Sequence, residues 1–115
     1  MILRKEAAAL NEEVYTINEI RSIVTPIAKR HQVSKVFLFG SYARGCATAS
    51  SDVDLCVDAS SLRGMFALGA LYADLEEALK KKLDLITVNS LKYNTDPGFV
   101  DNLRKDQVLL YVLVQ

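Results

Sequence analysis

Net charge is the first thing this sequence lacks. Its 115 residues carry 14 basic and 14 acidic side chains, a formal balance of zero. A free-standing nucleic-acid binder shows a basic excess, so direct binding of DNA or RNA is not expected. Cysteine is scarce: Cys46 and Cys56 supply neither a disulfide framework nor a CxxC metal pattern. They read as reduced thiols of a cytoplasmic protein. The lone histidine, His31, has no second imidazole to help it hold a metal, and reads as a helix-end residue. No apolar run approaches the roughly 18 residues of a membrane span, so no membrane association is expected. The opening residues, MILRKEAAAL, lack a signal-peptide core followed by a small-residue cleavage site, which again fits the cytoplasm. Internal repeats and low-complexity tracts are absent.

What is present suits one globular domain: half the residues are apolar and about a quarter charged. Residues 1–15 read as an N-terminal extension, and 16–115 as the domain. Thr16 is the expected cap of a helix whose apolar face is Ile17, Ile20, Val24, Ile27, Ala28 and His31. Pro26 should kink or interrupt it. KVFLF at 35–39 reads as a buried strand stopped by Gly40, followed by one helical turn at 41–45 and a small-residue loop, CATASS, at 46–51. DVDLCVD at 52–58 is a second strand. Ser60 or Ser61 should cap a long helix to about Lys82, with Glu76–Lys80 and Glu77–Lys81 pairs and a solvated lysine run at its end. LDLITV at 83–88 is a third strand, followed by a connecting loop, SLKYNTD. Asp96 and Pro97 open a helix to about Lys105, and QVLLYVLV is an edge strand. This order predicts an α/β fold with a small mixed sheet flanked by helices.

The chemistry is concentrated in GSYARGCATASSDVDL, residues 40–55. Side chains alternate across a strand, so Val53, Leu55 and Val57 face a core while Asp52 and Asp54 share the other face. Two carboxylates so placed repel each other unless a cation sits between them. Mg²⁺ prefers such oxygen ligands and shares its coordination sphere with substrate phosphates. Asp84 interrupts an otherwise apolar strand, a costly place for a charge unless it is paired or metal-bound. If the 83–88 strand lies beside the 52–58 strand, Asp84 joins the cluster, and three carboxylates can hold two metal ions for an in-line displacement at phosphorus. Gly40 lets a backbone approach closely, Ser41 offers a hydroxyl and an amide, and Arg44 is placed to pair with a phosphate. Asp58, at the end of its strand, reads as solvated.

LFGSYARG followed by SDVDL resembles the signature of the nucleotidyltransferase superfamily, hG[GS] and then DxD, with residues 42 to 51 as the spacer. With Ala-Arg-Gly after the Gly-Ser turn, the chain looks like the minimal nucleotidyltransferases, the MNT family, over roughly residues 17–112. The resemblance implies a DNA polymerase beta-like fold. It implies that Gly40 and Ser41 form the nucleotide-binding turn, joined by Arg44. Asp52 and Asp54 are then the metal pair, and Asp84 the third catalytic carboxylate and metal ligand. The implied cofactor is Mg²⁺, as two ions, with ATP as substrate. The implied reaction is attack of a hydroxyl on the α-phosphate with release of pyrophosphate. The implied partner is a HEPN-domain toxin modified on tyrosine, which makes this chain an antitoxin. The uncharged CATASS loop departs from the family pattern. Two other functions remain open: a non-enzymatic antitoxin that masks its partner, and nucleotidyl transfer to a small molecule.

Overall fold

The computed structural model describes residues 12–91, 93 and 96–114. Most of the expected N-terminal extension, residues 1–11, lies outside them, as do three residues of the expected 90–96 loop. Among the described residues five helical segments and four strands follow one another: α1 (Ile17–His31), β1 (Lys35–Phe39), α2 (Gly40–Arg44), β2 (Val53–Asp58), α3 (Gly64–Leu79), β3 (Leu83–Thr87), α4 (Val88–Leu91), α5 (Pro97–Asp106) and β4 (Val108–Val112). The strands form one sheet in the order β3-β2-β1-β4. β1 runs antiparallel to both β2 and β4, and β2 runs parallel to β3, so the sheet is mixed as expected.

The expected caps of two helices form. Thr16 accepts from the Glu19 amide while the Glu19 carboxylate accepts from the Thr16 amide, a reciprocal box at the start of α1. Asp96 accepts from the amides of Gly98 and Phe99 at the start of α5, with Pro97 in the first turn. Pro26 does not interrupt α1, which runs through it from Ile17 to His31. The hydrogen bond that proline cannot make would have ended on the carbonyl of Ser22, an exposed residue.

α3 also departs from its expected bounds. It begins at Gly64, past both serines: the Ser61 hydroxyl donates to the Gln32 carbonyl at 2.6 Å, and the Ser60 amide donates to the Asp58 carboxylate. It ends at Leu79, where Lys80 turns the chain in the left-handed region at φ 54°. The lysine run is therefore not one solvated helix end; Lys81 lies beyond the helix and is buried. The short α4 was not anticipated, because four residues are too few to show a period.

α1 and α3 pack on one face of the sheet. There Val36, Leu38, Val53, Leu55, Val57, Leu71, Leu75 and Leu79 form the core with Ile20 and Val24. A bulge shifts the β1–β4 register between Val36 and Phe37, which lets consecutive Leu110 and Tyr111 both be buried. The opposite face carries Phe37, Phe39, Asp54, Cys56 and Asp84 in neighbouring registers. It is partly covered: α4 packs on β2, and Cys56 is buried. Among the described residues no helix is long and apolar enough to cross a membrane.

Gln32 ends α1 at φ 58°, a conformation that strains a side-chain-bearing residue. Gln32→Gly should raise the unfolding free energy by about 0.5 kcal/mol, the relieved strain exceeding the entropy glycine adds to the unfolded chain. Urea denaturation is the check. An unchanged or lower midpoint would mean that the Gln32 side chain contributes more than its backbone costs.

Candidate active site

The site is built at one end of three adjacent strands. Phe39, the last residue of β1, is opposite Asp54 of β2, which is itself in register with Asp84 of β3. Neighbouring strands lie about 4.8 Å apart, so Asp54 and Asp84 stand side by side on one face. Asp52 precedes β2 by one residue, and its charge reaches Asp54. The structure thus brings together the three carboxylates. Asp54 is half-buried, while Asp52 and Asp84 are exposed.

Gly40 closes the arrangement from the β1 side. Its φ of +76° belongs to the region that favours glycine, and a Cβ there would collide with the Asp54 carboxylate, standing 3.0 Å from its Cγ. Only a glycine lets the backbone pass over that carboxylate. The chain then makes the single turn of α2, anchored by the buried Tyr42 and closed by the Cys46 amide donating to the Ser41 carbonyl at 3.0 Å. Ser41 is half-buried at the start of this turn. Among the described residues its hydroxyl has no protein partner, and neither do the carboxylates of Asp52, Asp54 and Asp84.

Crowding shows in the acidity of Asp54. Burial, then the charges of Asp84 and Asp52, push its pKa up to about 6, with Arg44 partly offsetting them. A carboxyl group held back from ionising beside two others suits a cation. The donor type fits Mg²⁺: hard carboxylate oxygens, few in number, with Asp52 and Asp84 exposed. It is not a closed cage. Among the described residues no group of three or more His, Cys, Asp or Glu side chains is placed to hold a metal ion. Mg²⁺ needs no such cage, because it keeps positions for water and phosphate oxygens.

Arg44 is engaged differently from the sequence reading. Its guanidinium pairs with Asp106 of α5 at 3.5 Å, which ties the Gly-Ser turn to that helix. Beside this pair lies a hollow of about 240 Å³ lined by Phe39, Gly40, Phe99, Asn102 and Leu103. Asp106 and Asn102 escaped the sequence reading, because α5 showed a cap and a length but nothing to say which element it meets. A larger hollow, about 470 Å³, lies at the opposite end of β2 and β3, lined by Asp58, Thr87 and Val88, and none of the three aspartates reaches it. We place the chemistry at the carboxylates, where the charges converge, rather than in the roomier hollow. Asp58 is half-buried there, not simply solvated. His31 is remote from the aspartates and pairs with Asp74 at 2.7 Å, a link between α1 and α3. Cys56 is an unreactive thiol, its pKa pushed up to about 11 by burial and then by Asp58.

The family described as polymerase beta, nucleotidyltransferase matches residues 21–113. A provisionally named protein adenylyltransferase of Methanocaldococcus jannaschii is 37% identical over 103 residues, covering 84% of this chain and 98% of its own length. The protein adenylyltransferase MntA of Thermococcus cleftensis is 37% identical over 81 residues, covering 67% of this chain and 82% of its own. Among solved structures, the fold is shared with a complex described as tri-AMPylated Shewanella oneidensis HEPN toxin with MNT antitoxin. The TM-score is 0.60 at 18% identity, covering 85% of this chain and 74% of that one.

The raised pKa of Asp54 makes its ionisation a cost to the metal-free fold. Because the folded value lies above the unfolded one, the stabilising contribution is complete below the usual carboxylate range and is lost as pH rises through about 6. Asp54→Asn removes that cost. In the presence of a chelator the variant should be more stable than the parent at pH 7, by on the order of 1 kcal/mol after allowance for solvent screening. The gap should close toward pH 4. Chemical denaturation across this range would show a flat difference if the crowding were unimportant.

Proposed function

The chain belongs to the polymerase beta nucleotidyltransferase family, and from that premise we propose that it is an antitoxin that transfers AMP from ATP to a tyrosine hydroxyl of a HEPN-domain toxin. The observation that carries this reading is the pairing of Asp54 with Asp84 across β2 and β3, with Gly40, just past the end of β1, packed against Asp54 and Asp52 two residues before it. It sets a turn suited to phosphate against a set of carboxylates suited to a divalent ion. The T. cleftensis relative is named a protein adenylyltransferase, and the S. oneidensis neighbour is an MNT antitoxin with an AMPylated HEPN toxin; both support the choice of nucleotide and partner.

The residues divide the work by position. The Gly40–Ser41 turn holds the β- and γ-phosphates through its amides and the Ser41 hydroxyl, and Gly40 keeps the path to Asp54 open. Asp52 and Asp54 would hold Mg²⁺. When bound, the metal neutralises their charge and that developing on the phosphates. Asp84, exposed on the strand next to Asp54, faces the acceptor and takes the proton from its hydroxyl. The acceptor oxygen then bonds to the α-phosphorus, the bond from that phosphorus to the α,β-bridging oxygen breaks, and pyrophosphate leaves. Arg44 counters the negative field around Asp54.

Intact-mass spectrometry of a HEPN partner after incubation with this chain, ATP and Mg²⁺ should show one or more AMP additions on tyrosine. Asp84→Asn should lower turnover by about 10²-fold or more while nucleotide affinity changes little. Gly40→Ala should lose nucleotide binding itself, through strain and the clash with Asp54. A partner that is silenced in a tight complex without gaining mass would establish masking instead of modification.

A further inference from the structure

Lys81 is the one charged side chain that the fold buries among the described residues, at 3% exposure. An ammonium removed from water needs strong partners. Its Nζ donates to the carbonyl of Ala49 at 2.8 Å and stands 6.0 Å from the centroid of the Tyr15 ring. Tyr15 is itself fixed, donating its hydroxyl to the Leu79 carbonyl at the end of α3, at 2.7 Å. The left-handed turn at Lys80 aims Lys81 inward.

Ala49 lies at the tip of the turn that leads into the candidate site. The Thr48 amide donates to the Ser51 hydroxyl at 2.8 Å and the Ser51 amide to the Thr48 carbonyl at 3.0 Å. Beyond the turn, the Val53 amide donates to the Lys82 carbonyl at 2.9 Å. Two consecutive lysines therefore grip the segment at two points, one through a side chain at Ala49 and one through the backbone at Val53. Asp52 lies between the grips. The 46–51 loop has only small side chains, and Ala47 alone packs against the core, so the loop has little of its own to set its height.

We propose that Lys81 is a positioning residue for nucleotidyl transfer, holding the 48–51 turn so that Asp52 is set at a fixed height over the Gly40–Ser41 turn. The inference rests on the transfer reading above. A one-ångström displacement of a ligand-bearing loop is enough to cost a large part of the rate.

The test compares the full chain with Lys81→Met, Lys81→Arg and Ser51→Ala. Lys81→Met retains the buried methylenes and loses the grip on Ala49. Hydrogen exchange of the Ser51 and Val53 amides should quicken by about tenfold, with no nucleotide present. Affinity for a non-hydrolysable ATP analogue without divalent ions should stay within about twofold, whereas its tightening by Mg²⁺ should fall by about tenfold, and turnover by about 10- to 100-fold. Lys81→Arg can still donate to the carbonyl and should recover most of both. Ser51→Ala, which loosens the turn from its other side, should give the same pattern without touching the buried cation. Unchanged exchange and unchanged Mg²⁺-dependent binding in Lys81→Met would overturn the proposal, as would an Arg variant no better than Met. So would a Lys81→Met chain that fails to fold beside a Ser51→Ala chain that behaves as the parent. A parent chain that transfers normally while Lys81→Met does the same overturns the clamp alone. A parent that binds no MgATP overturns the transfer reading, and the positioning role with it.

Discussion

Repulsion among three carboxylates organises this molecule. Asp54 and Asp84 are forced side by side by the parallel register of β2 and β3, and Asp52 follows from the alternation of the strand. Nothing among the described protein groups pairs with them directly. A fold selected for stability alone would place a cation or an apolar residue at one of these positions. Here the cost is retained, and burial makes Asp54 the member that bears most of it. The remainder of the structure holds the carboxylates in place against that repulsion.

The sheet does so by separating its faces. Val53, Leu55 and Val57 anchor β2 in the helix-covered core, so the intervening Asp54 cannot withdraw without pulling the core apart. Gly40 presses from one side, and its missing Cβ is the space that Asp54 occupies. α5 reaches the same corner through the Arg44–Asp106 pair. α3 steadies the start of β3, where the Tyr72 hydroxyl donates to the Leu83 carbonyl at 3.1 Å, one residue before Asp84. The grip of Lys81 on Ala49 belongs with these restraints: each holds backbone near an aspartate rather than the aspartate itself.

Most of this frame was legible along the chain. The strands at 35–39 and 83–88 showed as apolar runs, and the caps at Thr16 and Asp96 showed as residue types at fixed offsets, because each is a local preference of a few adjacent residues. The bounds of α3 were misread because Ser60 and Ser61 are good caps by type, and only the folded chain shows their polar groups committed to loop contacts. Lys81 was misread for a like reason. A lysine after a helix is normally solvated, and nothing local reveals that the chain reverses at Lys80 and turns the side chain toward a loop more than thirty residues away.

The sequence by itself determined the chemistry available: a glycine where a backbone must come close, a serine beside it, and aspartates at alternate strand positions. Those are properties of residue type and of period two, and they hold wherever the strand is placed. The tertiary structure alone decided that β3 lies parallel to β2 with Asp84 level with Asp54, that Arg44 is taken by Asp106, and that Lys81 is buried against Ala49. Each depends on contacts between residues distant in the chain. Such contacts are set by how the core packs as a whole, and no local preference encodes them.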